Sequence, residues 1–356
     1  MLSSRNRHRL FRAGFSAVSL AGADRWLAPA TRGRGLILTF HHVRPAAPAA
    51  YAPNSLLAIT PDFLDRTLTL LRARGFELIG LDAVPERLSG RATQAPFAVL
   101  TFDDGYRDNL QFAAPILARH GAPWTLFVAS DFAEGRGRLW WIELERAIAA
   151  LDRVALSPEQ TGGLALDLLA GDAAQKSAAF DAVYRALRSA PEERLLATIA
   201  ALCERAGFAP GKVAEELCLS WDELRALAAN PAVTIGAHTV SHPMLAKHDE
   251  TFARREVAES RARIAASLGR DIRHLSFPVG DPTSAGPREF AIARELGFAT
   301  AVTTRPGHLF ADHAGHLHAL PRVSINGLHQ TDAALASLIS GVPFLVWNRG
   351  RRINVG

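Results

Sequence analysis

The chain has little cysteine: Cys203 and Cys218 are the only two among 356 residues. They lie 15 apart, in no CxxC arrangement and beside no histidine pair. That excludes a zinc finger and a disulfide-stapled scaffold, and leaves a pair of buried thiols. Apolar runs of 18 residues are also missing, so no segment is expected to cross a bilayer as a helix. Charged residues make up 21% and apolar residues 48%, a balance that excludes long disorder. No repeat or low-complexity tract occurs beyond an alanine bias. The length suits one large or two medium domains.

Excess positive charge is absent from most of the chain. Residues 1–35 hold seven arginines against Asp24 alone, so a formal net charge of +5 leaves the remainder at −1. A near-neutral body argues against nucleic acid as a partner. The arm, 1–34, has a short apolar run, Ala13 to Ala23, closed by Asp24-Arg25. It lacks the pattern of a signal peptide, and a cytoplasmic location is the expectation. On a helical wheel Phe11, Phe15 and Val18 share one face, and Arg5, Arg9 and Arg12 a neighbouring one. Such a helix either lies on an anionic membrane surface, peripheral to the inner membrane, or packs on the protein with a solvated basic edge.

From Gly35 onward, short apolar runs alternate with helical patterns. Leu36–Phe40, Phe76–Ile79, Phe97–Thr101, Pro123–Ser130 and Val233–Thr239 read as strands, as do the segments IRHLSFPVG and FATAVTT. Helices are expected after Thr60-Pro61-Asp62, around Leu110–Arg119, and in TFARREVAESRARIAASLG and PREFAIARELG. This alternation is the signature of a parallel sheet or barrel with covered faces. The rhythm breaks at about 139–219, where ELERAIAALDRVA, AAFDAVYRALRSA and RLLATIAALCERAG read as helices of an insertion. Trp140, Trp141 and Trp221 flank its ends, either to stack on a bound ligand or to pack the insertion on the body. HALPRVSING leads into a final helix and basic tail over 331–356.

Two constellations carry chemistry. VLTFDDGYRDN, Val99 to Asn109, ends a buried strand on Asp103-Asp104. Isolated buried carboxylates are costly, and neighbours on an extended strand face opposite ways, so two partners are required. GAHTVSHP places His238 and His242 just past the apolar run Val233–Ala237. Imidazoles at i and i+4 converge on one metal if a helical turn begins there, with one Asp as third ligand and water beyond. The other Asp is then free to act as a base. Both motifs sit at C-terminal ends of strands, where parallel barrels build their sites.

TFDDGY at 101–106, HTVSH at 238–242 and SFPVG at 276–280, in this order, resemble the motifs of the polysaccharide deacetylases. This is the NodB-homology family, carbohydrate esterase family 4, which includes chitooligosaccharide deacetylases. The resemblance implies an α/β fold, a distorted (β/α)7-type barrel over 35–330 interrupted by the helical insertion. It implies metal-dependent removal of N-acetyl groups from an amino-sugar oligo- or polysaccharide of the chitooligosaccharide or poly-N-acetylglucosamine type. By position Asp103 would be the base. Asp104, His238 and His242 would hold a divalent metal, Zn2+ first and Co2+, Ni2+ or Fe2+ as alternatives. Pro278, Val279 and Gly280 would form the oxyanion and substrate loop, with Val279 where the family often has an aromatic. LTFHHV at 38–43 is similar to the first-strand Tyr-His motif of the biofilm poly-N-acetylglucosamine deacetylases, with Phe40 replacing the tyrosine. That makes His41 the expected acid and His318 the alternative, and gives Arg322 the task of orienting Asp103. Strand alternation lets only one of His41 and His42 enter the site.

Three rival readings remain. A glycosidase needs carboxylates farther apart and leaves the histidines unexplained. A deacylase of a small non-sugar amide would use the same residues. A non-catalytic carbohydrate-binding relative would need no base.

Overall fold

A computed structural model describes residues 4–46, 49–90, 95–163 and 165–355, without the side chains of residues 4–9, Arg5 and Arg9 among them. Gly35–Phe40 (β1) and Phe97–Phe102 (β2) are buried at every position, as expected of parallel strands covered on both faces. They pair in parallel from Gly35 opposite Phe97 to Phe40 opposite Phe102. A Cβ at Gly35 would lie 2.4 Å from the Phe97 carbonyl oxygen, so glycine permits the close approach. Trp124–Val128 (β3), Val233–Ala237 (β4), His274–Ser276 (β5), Thr300–Pro306 (β6) and Leu320–Ser324 (β7) continue the sheet. The order is β1-β7-β6-β5-β4-β3-β2, and β1 bonds to both β7 and β2. The ring closes into a barrel of seven parallel strands, which removes the exposed edges of an open sheet.

The seventh strand is not the one the alternation suggests. Within Phe76–Ile79 only Glu77–Leu78 is strand, a short branch on the N-terminal half of β2 outside the ring. The ring is completed instead by Leu320–Ser324, inside HALPRVSING. Pro321 and Arg322 disguise it, because neither belongs to an apolar strand pattern.

Helices cover the barrel. Ser4–Leu20 (α1) precedes β1, and Pro61–Ala73 (α2) follows it, with the Thr60 hydroxyl accepting from the Phe63 N–H at the N-cap. Trp140–Ala150 (α3), Ala173–Arg188 (α4) and Glu192–Arg205 (α5) belong to the insertion, and Glu250–Leu268 (α6), Pro287–Glu295 (α7) and Asp332–Ser340 (α8) to the body. The insertion has a core of its own, built from Leu144, Ile148, Val183, Leu187, Ile199 and Leu202. ELERAIAALDRVA is not one helix: α3 stops at Ala150, and Arg153–Leu156 pairs antiparallel with Leu166–Leu169. Burial alternates along Arg153–Leu156, the period of a half-covered strand. Cys203 and Cys218 are free and buried.

The Phe11–Phe15 face of α1 is turned inward. Phe15 is buried, Phe11 stacks on Trp347 at 5.3 Å, and the Ser337 hydroxyl of α8 donates to the Phe15 carbonyl. No helix among the described residues is long and apolar enough to cross a membrane.

Candidate metal centre

The strand β2 ends at Phe102, and the next two residues do not continue it. Asp103 donates its N–H to the Phe40 carbonyl at 3.0 Å. Asp104 has φ 71° and Gly105 φ 66°, so a left-handed turn, not strand alternation, separates the two carboxylates. Arg322 of β7 grips Asp103 with both arms, Nη1 to Oδ1 at 2.8 Å and Nη2 to Oδ2 at 2.6 Å. The guanidinium also donates to the Thr101 hydroxyl, the Ser276 hydroxyl and the Thr303 carbonyl. Burial alone would raise the Asp103 carboxyl, but the Arg322 charge and hydrogen bonds outweigh it and hold the group below the usual carboxylate range.

Asp104 faces the other way. Its Oδ1 lies 3.4 Å from His238 Nε2 and 3.3 Å from His242 Nε2, and all three side chains are buried. Their donor atoms lie within 4.8 Å of one another. His238 Nδ1 sits 2.7 Å from the Ser276 carbonyl, so that nitrogen carries the proton. A neutral ring then aims the Nε2 lone pair at a carboxylate, an arrangement that requires a proton or a cation between them. Two tetrahedral ligands about 2.0–2.1 Å from one zinc stand roughly 3.3–3.4 Å apart. The carboxylate–imidazole separations match that spacing, so the residues fit a divalent cation. Burial pushes the Asp104 carboxyl up, yet hydrogen bonding to His238 and His242 holds it well below its usual range.

No helical turn brings the two histidines together. His238 to His242 is loop, bent by left-handed residues at Thr239 (φ 65°) and His242 (φ 64°). The Thr239 hydroxyl accepts from the His242 N–H at 3.1 Å. Glu256, on α6, clamps the loop: one oxygen accepts from the Val240 and Ser241 N–H groups at 2.9 Å, the other from the Ser241 hydroxyl at 3.0 Å. Burial raises the Glu256 carboxyl, partly offset by these bonds. Sequence reasoning missed Glu256 and Ser276, which act on the ligands through backbone and from distant positions. The signal available for Glu256 was a buried acid on a helix just after a ligand motif.

Four of the five non-glycine residues with positive φ among the described residues belong to this site: Asp104, Thr239, His242 and Val279. Val279 is the most costly, being β-branched at φ 62°. It is the central residue of a three-residue turn in which the Gly280 N–H donates to the Pro278 carbonyl at 2.7 Å, while its own carbonyl accepts from the Thr304 hydroxyl. A Cβ at Gly280 would lie 2.7 Å from Thr304 N, which keeps that position glycine. The Val279 N–H has no hydrogen bond among the described residues.

The remaining histidines separate cleanly. His42 points away from the carboxylates, to Asp108 Oδ2 at 2.6 Å and onto the Tyr106 ring at 3.5 Å. His41 is half-buried and feels both Asp104 and Asp103; its pKa is lowered by burial, against the pull of those carboxylates. His318 does not reach the site. It precedes β7, at the opposite end of the barrel from the ligands, and bonds to the Phe298 carbonyl at 2.8 Å, so the alternative acid falls. Trp140 and Trp141 are buried and packed edge to face. Trp141 donates to the Tyr106 hydroxyl at 3.2 Å and lies 4.9 Å from the His242 ring. Trp221 packs on the barrel core. Trp140 and Trp141 join the insertion to the site and are not open sugar platforms.

The family model for polysaccharide deacetylase matches residues 90–155 and 175–301, more than half of the chain and both ligand motifs. The chain belongs to the polysaccharide deacetylase family. Solved structures similar to this deacetylase include the Streptococcus pyogenes deacetylase PplD, in complex with acetate. It is 19% identical, with a TM-score of 0.52 over 83% of this chain and 94% of that one. IcaB from Ammonifex degensii is 18% identical, with a TM-score of 0.51 over 87% and 97%. A polysaccharide deacetylase from Bacillus cereus is 15% identical, with a TM-score of 0.52 over 86% and 68%. At these identities the likeness is one of fold, the NodB-type barrel. No curated protein matches the chain.

Proposed function

We propose that this deacetylase removes N-acetyl groups from an amino-sugar oligo- or polysaccharide of the chitooligosaccharide or poly-N-acetylglucosamine type, with a divalent cation, zinc before cobalt, nickel or iron, held by Asp104, His238 and His242. One observation carries the reading: three buried donors at ligand spacing stand beside a second carboxylate that Arg322 keeps ionised. When bound, such a cation polarises a carbonyl and lowers the pKa of water. Asp103, held as the anion, accepts the proton of the attacking water. The Val279 N–H donates to the oxyanion that develops on the acetamide. The C–N bond then breaks, and the proton that the leaving amine requires comes from His41 in its imidazolium form, which the Asp104 and Asp103 charges favour against burial. Acetate and a free amino sugar are the products.

A second reading, a deacylase of a small amide, draws support from the enclosure of the site. Asp103, Asp104, His238 and His242 are all buried, with Trp141 and Phe132 against His242. Acetate release from N-acetylglucosamine oligomers of increasing length separates the two. The protein is stripped with chelator, reloaded with zinc and compared with Asp103→Asn. Zinc-restored release that rises with oligomer length and fails in the variant is the expected result. Release from small amides but from no oligomer would transfer the same chemistry to the second reading.

A further inference from the structure

Eight large apolar side chains are exposed among the described residues, and six of them belong to the two chain termini: Leu10, Leu20, Trp26, Leu345, Val346 and Trp347. Leu20 and Val346 are 88% and 83% exposed. Single exposed apolar residues are ordinary; a concentration of six, including two tryptophans, marks an interaction surface. The two terminal segments pack on each other in the fold. Phe11 of α1 stacks on Trp347, and the Thr31 hydroxyl, close before β1, donates to the Ser340 carbonyl at the end of α8.

The net charge of these two segments has one sign. Residues 1–35 carry a surplus of six positive charges, and 341–356 add Arg349, Arg351 and Arg352 with no acid. The rest of the chain is net negative, so the positive surplus lies in the termini. The single acid of the arm, Asp24, is buried against Arg74 at 2.5 Å and is withdrawn from the surface. Arg12, Arg25, Arg349 and Arg351 are exposed and make no ion pair among the described residues. An intramolecular role for these guanidinium groups is therefore missing, and a negatively charged partner is what they complement.

We propose that the two termini together form a docking surface for an anionic lipid bilayer. Leu20, Trp26, Val346 and Trp347 enter the interface and the arginines meet lipid phosphates. The helix face that does this is not the one a wheel of the arm suggests, because Phe11 and Phe15 are spent on the Trp347 and α8 contacts. Half of the surface comes from the C-terminal segment, more than 300 residues away in sequence.

The test is co-sedimentation of the full chain with vesicles of phosphatidylcholine alone or with phosphatidylglycerol. Binding to the anionic vesicles that weakens as salt rises is expected, with little binding to the neutral ones. Leu20→Ser with Val346→Ser should lower the affinity about tenfold or more. Arg25→Gln with Arg351→Gln should lower it about 30-fold, while binding to neutral vesicles stays unchanged. Both variants keep the wild-type thermal transition and acetate release from a soluble substrate, since the altered side chains are exposed and make no contact with the metal ligands. Failure of the wild type to sediment with anionic vesicles overturns the proposal. So does a wild-type homodimer by light scattering that both variants convert to monomer, which would assign the surface to a second copy of the chain.

Discussion

Arg322 is among the largest side chains that are wholly buried, and its charge is balanced by Asp103 alone among the acids it contacts. Removing one partner of such a pair leaves an uncompensated charge in a dry interior, at about 3–5 kcal/mol. Arg322→Met is expected to destabilise the protein by that amount in urea titration, and Asp103→Asn with Arg322→Met to recover much of it. A double variant no more stable than Arg322→Met would mean the two groups are not coupled. Asp103→Asn alone should lower acetate release about 10²–10⁴-fold, the usual worth of a positioned base. At this scale the sequence was most informative. The adjacent acids and the spaced histidines were legible because charged and imidazole groups at the ends of buried strands need partners. Arg322 was assigned to Asp103 from family resemblance, and its bidentate geometry is in the structure. The left-handed backbone of Val279 was not legible, since a β-branched residue is an outlier there; Asp104 and His242 are of types enriched in that region, but the enrichment is too weak to single out a position.

At the scale of elements, the barrel strands whose residues are apolar on both faces could be read directly. β7 could not, because its inward position is occupied by the arginine that serves Asp103 and its N-terminal part by a proline. The Arg153–Leu156 hairpin was hidden by alanine-rich flanks of high helix propensity. The ligand loop after β4 depends on Glu256 of α6, a contact across 15–16 residues of sequence. Glu256→Gln removes one of the acceptors that hold this loop. It is expected to weaken zinc binding by about 10–100-fold, as loss of supporting hydrogen bonds does, while leaving the far-ultraviolet spectrum unchanged. Unaltered zinc affinity would show that Thr239 and Ser276 suffice to orient the histidines.

For the whole molecule, acid is the expected weakness. His308 lies buried between the Arg32 carbonyl before β1 and the Leu338 carbonyl of α8, and joins the two termini to the barrel. Burial lowers its pKa, and lowers that of His313 to about 4. The folded state therefore refuses protons that the unfolded chain accepts near pH 6.5. Stability is fully present above that value and falls as the pH drops through the window from about 6.5 to about 4. His313 alone contributes up to roughly 3 kcal/mol to the loss. Thermal transitions measured between pH 7 and pH 4.5 should drop steadily, and His313→Phe should flatten the fall. A transition temperature independent of pH over this range would contradict the assignment.

The metal centre is the claim on which the rest depends, and zinc titration of the chelator-stripped protein tests it most directly. One equivalent is expected to bind to the wild type and to Asp103→Asn, and none with comparable affinity to Asp104→Ala or His238→Ala. Binding that survives loss of Asp104 and His238, or that vanishes in Asp103→Asn while the protein stays folded, would contradict the division of labour between the two neighbouring carboxylates.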